Sequence, residues 1–292
     1  KIAYLQCAGF ADKEDGKVLA PDSIVRIYSM TKPLTTVAAM MLYEEGCFQL
    51  DDPVAKYLPE FGDTPVWRGG DAPITDVEEQ RSPMLVKQLM SHTSGLTYHF
   101  MHSTPVDAQY REQAIEFQSH SESLAQVTRR LASIPLLCQP GSQWNYSVAT
   151  DVLGRLVEVL SGMSLADFFR QRIFAPLKMV DTGFSVPEQT RHRFAALYGP
   201  AVGGDMSSVG GAAAPVPQEE RGGLVLQESS TQSVYFEEPM SCSGGGGLVS
   251  TIGDYARFCQ MLINEGELEG ERLLAPSTLR YMRTNQLPNN CD

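Results

Sequence analysis

Apolar residues recur at helical spacing along much of the chain. Leu34, Val37, Ala38, Met41 and Leu42 fall at i, i+3, i+4, i+7 and i+8, a stripe that predicts one helix. Glu45-Gly46 ends it, the glycine supplying a left-handed turn. Val152, Leu153, Leu156, Val157 and Leu160 predict a second helix closed by Ser161-Gly162, and Leu165 to Phe174 a third. A fourth carries Ile252, Tyr255, Ala256, Cys259, Leu262 and Ile263. It opens at Thr251-Ile-Gly-Asp254, a capping-box spacing with aspartate in the acid's place. Residues 107 to 134 read as mostly helical. Met84 to Met90 reads as a short helix, with Ser82 as N-cap and Pro83 as its first residue. Lys1 to Phe10 and Ile24 to Tyr28 read as strands around a charged turn, Asp12 to Lys17.

The stretches between are polar or broken. Leu50-Asp-Asp-Pro-Val opens a short helix or turn that reaches Tyr57-Leu58-Pro59. Residues 61 to 83 are rich in Gly, Pro and Asp and predict an exposed loop. Gly199 to Gly223 is dominated by Gly, Ala, Pro, Ser and Glu, a long excursion rather than a core element. No internal repeat is visible.

The 292 residues amount to about two domains of average size. With 42% hydrophobic and 20% charged residues, the chain is globular rather than disordered. Its longest apolar stretch, Leu34 to Tyr43, is too short to span a bilayer, so no membrane role is expected. A net charge of −12 repels polyphosphate and argues against a nucleic-acid partner. Six cysteines, none in a CxxC pair, exclude a zinc ribbon or thioredoxin-like site. They read as reduced thiols in a reducing compartment, which points to a cytoplasmic protein; separately, no metal or organic cofactor is expected. Nothing in the sequence sets an oligomeric state.

Ser29-Met30-Thr31-Lys32 is the first chemical candidate. Residues three apart share a helix face, and Pro33 is tolerated only in a first turn, so Ser29 and Lys32 belong at a helix N-terminus. The positive end of the helix disfavours an ammonium, which suits a lysine that takes a serine's proton. The backbone N–H of Ser29 is a candidate donor to an oxyanion. An SxxK spacing alone is common by chance, and Pro33 is what gives this one weight. Trp144-Asn145-Tyr146-Ser147 is the second candidate. Tyr146 precedes a helix capped by Ser147, where a phenol can pass a proton to a leaving group, although Trp144 and Tyr146 also read as a packed aromatic pair. His92, His99 and His102 lack the GxSxG or HExxH context of catalytic or metal-binding histidines, and Ser91-His-Thr-Ser-Gly95 reads as a polar turn. Gly244 to Gly247 lacks a P-loop ending and reads as backbone passing close to a neighbour or a cleft.

Together these segments resemble the serine β-lactamase-like hydrolases, and Arg26-Ile-Tyr-Ser-Met-Thr-Lys-Pro33 is similar to the SMTKP segment of family VIII carboxylesterases. Four further blocks agree in order: Glu44 to Pro53, Leu89 to Leu96, Tyr146 to Gly154, and Gly244 to Phe258. The resemblance implies an α/β (α+β) fold, an antiparallel sheet flanked by helices with a mainly helical domain inserted. The α/β domain would comprise 1–60 and 236–292. The insert would be 61–235, with the excursion at 199–235. It implies Ser29 as acylated nucleophile and Lys32 and Tyr146 as general base and acid. Trp144, Gly245 and Gly246 would line the site, and a small-molecule ester would be the substrate. β-Lactamases of this branch carry Y-x-N where this chain has Tyr146-Ser147-Val148, which favours ester over β-lactam hydrolysis. The family also has a third motif, a Lys, His or Trp followed by glycine on a late strand. No such strand precedes Asp292, so the α/β domain is expected to be incomplete at both ends. A β-lactamase or D-Ala-D-Ala peptidase, an acyltransferase, and a non-catalytic member or inactive fragment are the alternatives.

Overall fold

Pro33 fixes where the central helix begins. In a computed structural model that describes residues 2–200 and 223–287, it is the third residue of helix Thr31–Glu44 (α1). Its missing N–H falls among the donors that a first turn leaves free. Before it come strands Phe10–Asp12 (β1), Lys17–Val18 (β2) and Val25–Arg26 (β3), then a 3-10 turn, Tyr28–Met30. After it, Val66–Trp67 (β4) pairs with Val77–Glu78 (β5). Helices Val86–Met90 (α2), Pro105–Glu112 (α3), Leu124–Ala132 (α4), Ala149–Ser161 (α5), Leu165–Phe169 (α6) and Ala175–Leu177 (α7) follow. Strands Leu197–Pro200 (β6), Leu224–Glu228 (β7) and Val249–Ser250 (β8) precede helix Ile252–Ile263 (α8). Strands Glu267–Leu268 (β9) and Glu271–Arg272 (β10) form a hairpin before helix Pro276–Met282 (α9).

Strand β3 pairs antiparallel with β8, Val25 opposite Ser250 and Arg26 opposite Val249. The early and late parts of the chain are thus joined directly beside Ser29. Behind this pair lie α1 and α5. Their apolar stripes, Leu34, Val37, Ala38 and Met41 against Val152, Leu153, Leu156 and Val157, are buried in one core. That core continues through Phe168, Phe169, Phe258 and Met261. Gly154 lets α5 lie close to the start of α6 and to the glycine run. A Cβ there would lie 2.9 Å from Leu165 Cδ2 and 3.6 Å from the Gly244 Cα.

Several sequence expectations change. Residues 2 to 8 have no sheet partner among the described residues, and Ile2, Tyr4 and Leu5 are exposed. A β-rich sequence forms a strand only where another backbone satisfies it, and here that starts at Phe10. The expected loop 61–83 contains the β4–β5 hairpin. Val66 and Trp67 are buried, and Trp67 N–H donates to Leu136 O at 2.9 Å. Two apolar residues outweigh polar neighbours because they reach the core. Helix α2 begins three residues after Pro83, with Leu85 as N-cap, because the Gln88 side chain accepts the Leu85 N–H at 2.8 Å. The helical region 107–134 is two helices separated near Ala114, whose φ is +46°. Helix α5 is entered through Val148 rather than Ser147, whose hydroxyl instead accepts the Ala149 N–H at 3.4 Å. Of the Gly-rich excursion, residues 201–222 lie outside the described residues; its flanks β6 and β7 pair antiparallel. Thr251 caps α8 by accepting the Asp254 N–H at 3.2 Å.

Cys7, Cys47, Cys138, Cys242 and Cys259 are free thiols, and Cys291 lies outside the described residues. Among the described residues, no helix is long and apolar enough to cross a membrane.

Gly95 turns the chain between α2 and the residues that reach the site. Its φ is +85°, and a Cβ there would lie 2.3 Å from Cys138 O. Gly95→Ala is expected to destabilise the fold by about 2 kcal/mol or more, read as a lower urea midpoint at unchanged slope. A wild-type midpoint would mean that this turn is not constrained.

Candidate active site

Three segments converge on one hydroxyl. Ser29 stands exposed on the 3-10 turn before α1, one turn ahead of Lys32. The residue before it, Tyr28, has a φ of +42°, a left-handed conformation costly for a bulky residue. Tyr146 arrives from the extended segment before α5. Its hydroxyl lies 2.5 Å from Ser29 Oγ, while Lys32 Nζ lies 3.1 Å from the same oxygen. Two further oxygens complete the surroundings of Nζ: Tyr98 OH at 3.0 Å and Gly245 O at 2.7 Å. The amine also sits 4.7 Å from the centre of the Tyr146 ring.

Backbone pairing holds these segments together. Asn145 N–H donates to His92 O at 2.8 Å, and the Asn145 side-chain amide to Leu96 O at 2.8 Å. Val148 N–H reaches Thr97 O at 3.2 Å. The segment bearing His92 and Tyr98 is therefore fixed beside the segment bearing Tyr146. Aromatic rings continue this contact, with Tyr98 and Phe100 stacked at 4.6 Å and Tyr98 and Tyr146 5.1 Å apart. Burial, then the charge of Asp151 and the Tyr146 phenol, holds the Tyr98 phenol well above its ordinary value.

The sequence candidates occupy distinct places. Ser29, Lys32 and Tyr146 meet. Trp144 is 53% exposed and stacks 6.4 Å from Tyr146, on the open side of the cluster. Gly245 turns its carbonyl to Lys32 and its N–H to Asp151. Gly246 lies against the Tyr28 backbone, where a Cβ would sit at ordinary contact distance, 3.7 Å. His92 is a turn residue, as read, but its ring is 5.0 Å from Tyr146 and its Nδ1 is 3.1 Å from Ser147 Oγ. Among the described residues, no group of three or more His, Cys, Asp or Glu is arranged to hold a metal.

Sequence reasoning missed Tyr98 and Asp151. Asp151 carried a signal: it is a buried acid on the apolar face of α5, five residues after Tyr146. Tyr98 carried none beyond its nearness to Gly95.

A mixed helix-and-sheet fold of this kind is that of the serine β-lactamase and penicillin-binding-protein class. The whole described chain matches that class: residues 1–290 fit the family description Beta-lactamase, and the chain belongs to that family. It is 32% identical to Esterase EstB of Burkholderia gladioli, over 90% of this chain and 62% of EstB. It is 31% identical to the Monacolin J acid methylbutanoyltransferase of Aspergillus terreus, over 96% of this chain and 63% of that protein. Among solved structures it is similar to "EstCE1, a hydrolase with promiscuous acyltransferase activity", with a TM-score of 0.70 and 28% identity over 94% of this chain and 67% of that one. The chain thus spans a little under two thirds of the length of these curated relatives.

His92 gives this arrangement a pH signature. Burial, then the Lys32 charge, pushes the imidazole down to about 4 from its ordinary 6.5. The unfolded chain therefore binds the proton more readily. The stability is fully present above pH 6.5 and is lost as pH falls from 6.5 toward 4, by on the order of 3 kcal/mol. In His92→Gln, the fall in urea midpoint between pH 7 and pH 4.5 is expected to be smaller than in wild type. Equal falls would show that His92 is not buried neutral.

Proposed function

We propose that the protein is a carboxylesterase of the family VIII type, acting through an acyl-enzyme on Ser29. The observation that carries this reading is the pair of contacts on Ser29 Oγ, Lys32 Nζ on one side and Tyr146 OH on the other. A neutral lysine has two N–H donors and one lone pair. Lys32 Nζ donates to Ser29 Oγ, Tyr98 OH and Gly245 O; once it has given up a proton, the two N–H groups that remain can stay on Tyr98 OH and Gly245 O and leave the lone pair to the Ser29 hydroxyl.

Lys32 takes the proton of Ser29 as Oγ attacks the ester carbonyl, and the Ser29 N–H faces the oxyanion. Tyr146 gives its proton to the leaving alcohol oxygen, and the Lys32 ammonium near its ring offsets the phenolate. Water then loses a proton to Tyr146 and attacks the acyl carbon. Ser29 Oγ leaves with the proton held by Lys32, which restores the starting state and releases the acid. Trp144, half exposed beside Tyr146, flanks the bound ester, and Gly245 and Gly246 border it through backbone. The reaction draws on no metal or cofactor, and the substrates are small-molecule esters.

Transfer of the same acyl group to an alcohol is a second reading, supported by the exposed Ser29 and by relatives described as acyltransferases. β-Lactam turnover is less well supported, since residue 148 is a buried valine with no amide to present.

Hydrolysis of p-nitrophenyl butyrate is expected, with Ser29→Ala and Lys32→Ala lowering kcat/KM by about 1,000-fold or more. Tyr146→Phe is expected to lower it by about 100-fold. Wild-type activity in Ser29→Ala would refute the acyl-enzyme, and rapid turnover of a chromogenic cephalosporin with esters ignored would redirect the substrate class.

A further inference from the structure

Asp151 is a carboxylate with no evident reason to be buried. It lies in the first turn of α5, 2% exposed, facing the glycine run. Burial pushes its carboxyl up; the Ser243 hydroxyl, the Lys32 charge and the N–H groups of Gly245 and Asp151 itself pull it back. The Ser243 hydroxyl donates to Oδ1 at 2.5 Å and the Gly245 N–H at 2.9 Å. A buried charge is tolerated only when it is paired and hydrogen-bonded. Here the cation acting on it is Lys32.

Gly245 lies between the two charges. Its N–H points to Asp151, and its carbonyl accepts from Lys32 Nζ at 2.7 Å. The fit is close, because a Cβ at residue 245 would lie 2.4 Å from Asp151 Oδ2. Thr35 fixes the preceding residue, its hydroxyl donating to Gly244 O at 2.7 Å. The glycine run therefore passes between a carboxylate on α5 and an amine on α1, with each peptide face committed to one of them.

The geometry points to Asp151 as a positioning residue for Lys32: through Gly245 it holds the carbonyl that receives the amine, and it supplies the buried negative charge opposite the ammonium formed when Lys32 accepts the Ser29 proton. This rests on the acyl-enzyme reading above. The other groups facing Lys32 are Ser29 from the 3-10 turn, His92 and Tyr98 from the segment after α2, and Tyr146 from before α5. Among the described residues around Lys32, Asp151 is the one carboxyl group acting on it.

The test is Asp151→Asn, which keeps the side chain's size and an oxygen for the Gly245 N–H while removing the charge. Labelling of Ser29 by a fluorophosphonate, followed by intact mass across pH, reads the step that Lys32 serves. The rate is expected to fall at least tenfold, because the ammonium is less favoured and the base weaker. The acid limb of the profile is expected to move to lower pH by about one unit. A merely structural carboxylate would lower the melting temperature and leave that limb in place. A wild-type rate with an unshifted limb overturns the proposal. If Asp151→Asn does not fold, Gly245→Ala serves, since its methyl group forces carboxylate and carbonyl apart. A tenfold slower labelling supports the proposal, and a wild-type rate overturns it. Should Ser29 remain unlabelled in the wild-type protein, the acyl-enzyme reading fails by itself. Hydrogen exchange of the Gly245 amide then decides the role of Asp151: tenfold faster exchange in Asp151→Asn supports it, and equal exchange overturns it.

Discussion

The Lys32 amine is the point on which the surrounding structure depends. Its three oxygen neighbours come from three separate parts of the chain: the turn before its own helix, the segment after α2, and the glycine run before β8. An amine among aromatic rings is costly unless each N–H and the lone pair has a partner. Satisfying that requirement dictates much of the local architecture. The glycine run must come within reach of α1, which Gly154 and the side-chain-free Gly244 and Gly245 permit. The Tyr98 segment must be tied to the Tyr146 segment, which Asn145 and His92 accomplish through backbone hydrogen bonds.

Electrostatics around this amine are arranged in opposition. His92 and Tyr98 are both kept uncharged by burial, the imidazole pushed down and the phenol up. Their neutrality leaves Asp151 as the counter-charge to Lys32. A cluster of this kind is stable only as a unit, because loss of one partner strands another in a poorly solvated place. It also holds the Ser29 hydroxyl between Lys32 Nζ and Tyr146 OH.

The sequence carried the helices and the nearness of Ser29 to Lys32 clearly, for physical reasons that can be named. The stripe of Leu34, Val37, Ala38, Met41 and Leu42 and the stop at Gly46 are properties of a single helix, and Pro33 pins its start. Ser29 and Lys32 are near neighbours in the chain, so their contact is local. The pairing of β4 with β5 was hidden because Val66 and Trp67 are only two apolar residues among polar ones, and their value lies in a distant core. The strand expected over Lys1 to Phe10 forms only from Phe10 for the converse reason: residues 2 to 8 favour extended backbone but have no sheet partner among the described residues. Tyr98 was invisible because its role exists only once the turn at Gly95 brings it against Lys32. Asp151 was visible as an anomaly, a charge on a buried face, though its partner Gly245 lies 94 residues away.

The β3–β8 pair and the contact of Lys32 with Gly245 have a consequence for how the protein comes into being. Residues 32 and 245 are separated by 213 positions. Contacts this distant in sequence form late, after the entropy of a very long loop has been overcome. During synthesis, therefore, Lys32 leaves the ribosome before the glycine run and gains its contact with Gly245 only once that run has docked. The full set of contacts around Lys32 is in effect a marker of completed folding, absent from an immature or misfolded chain.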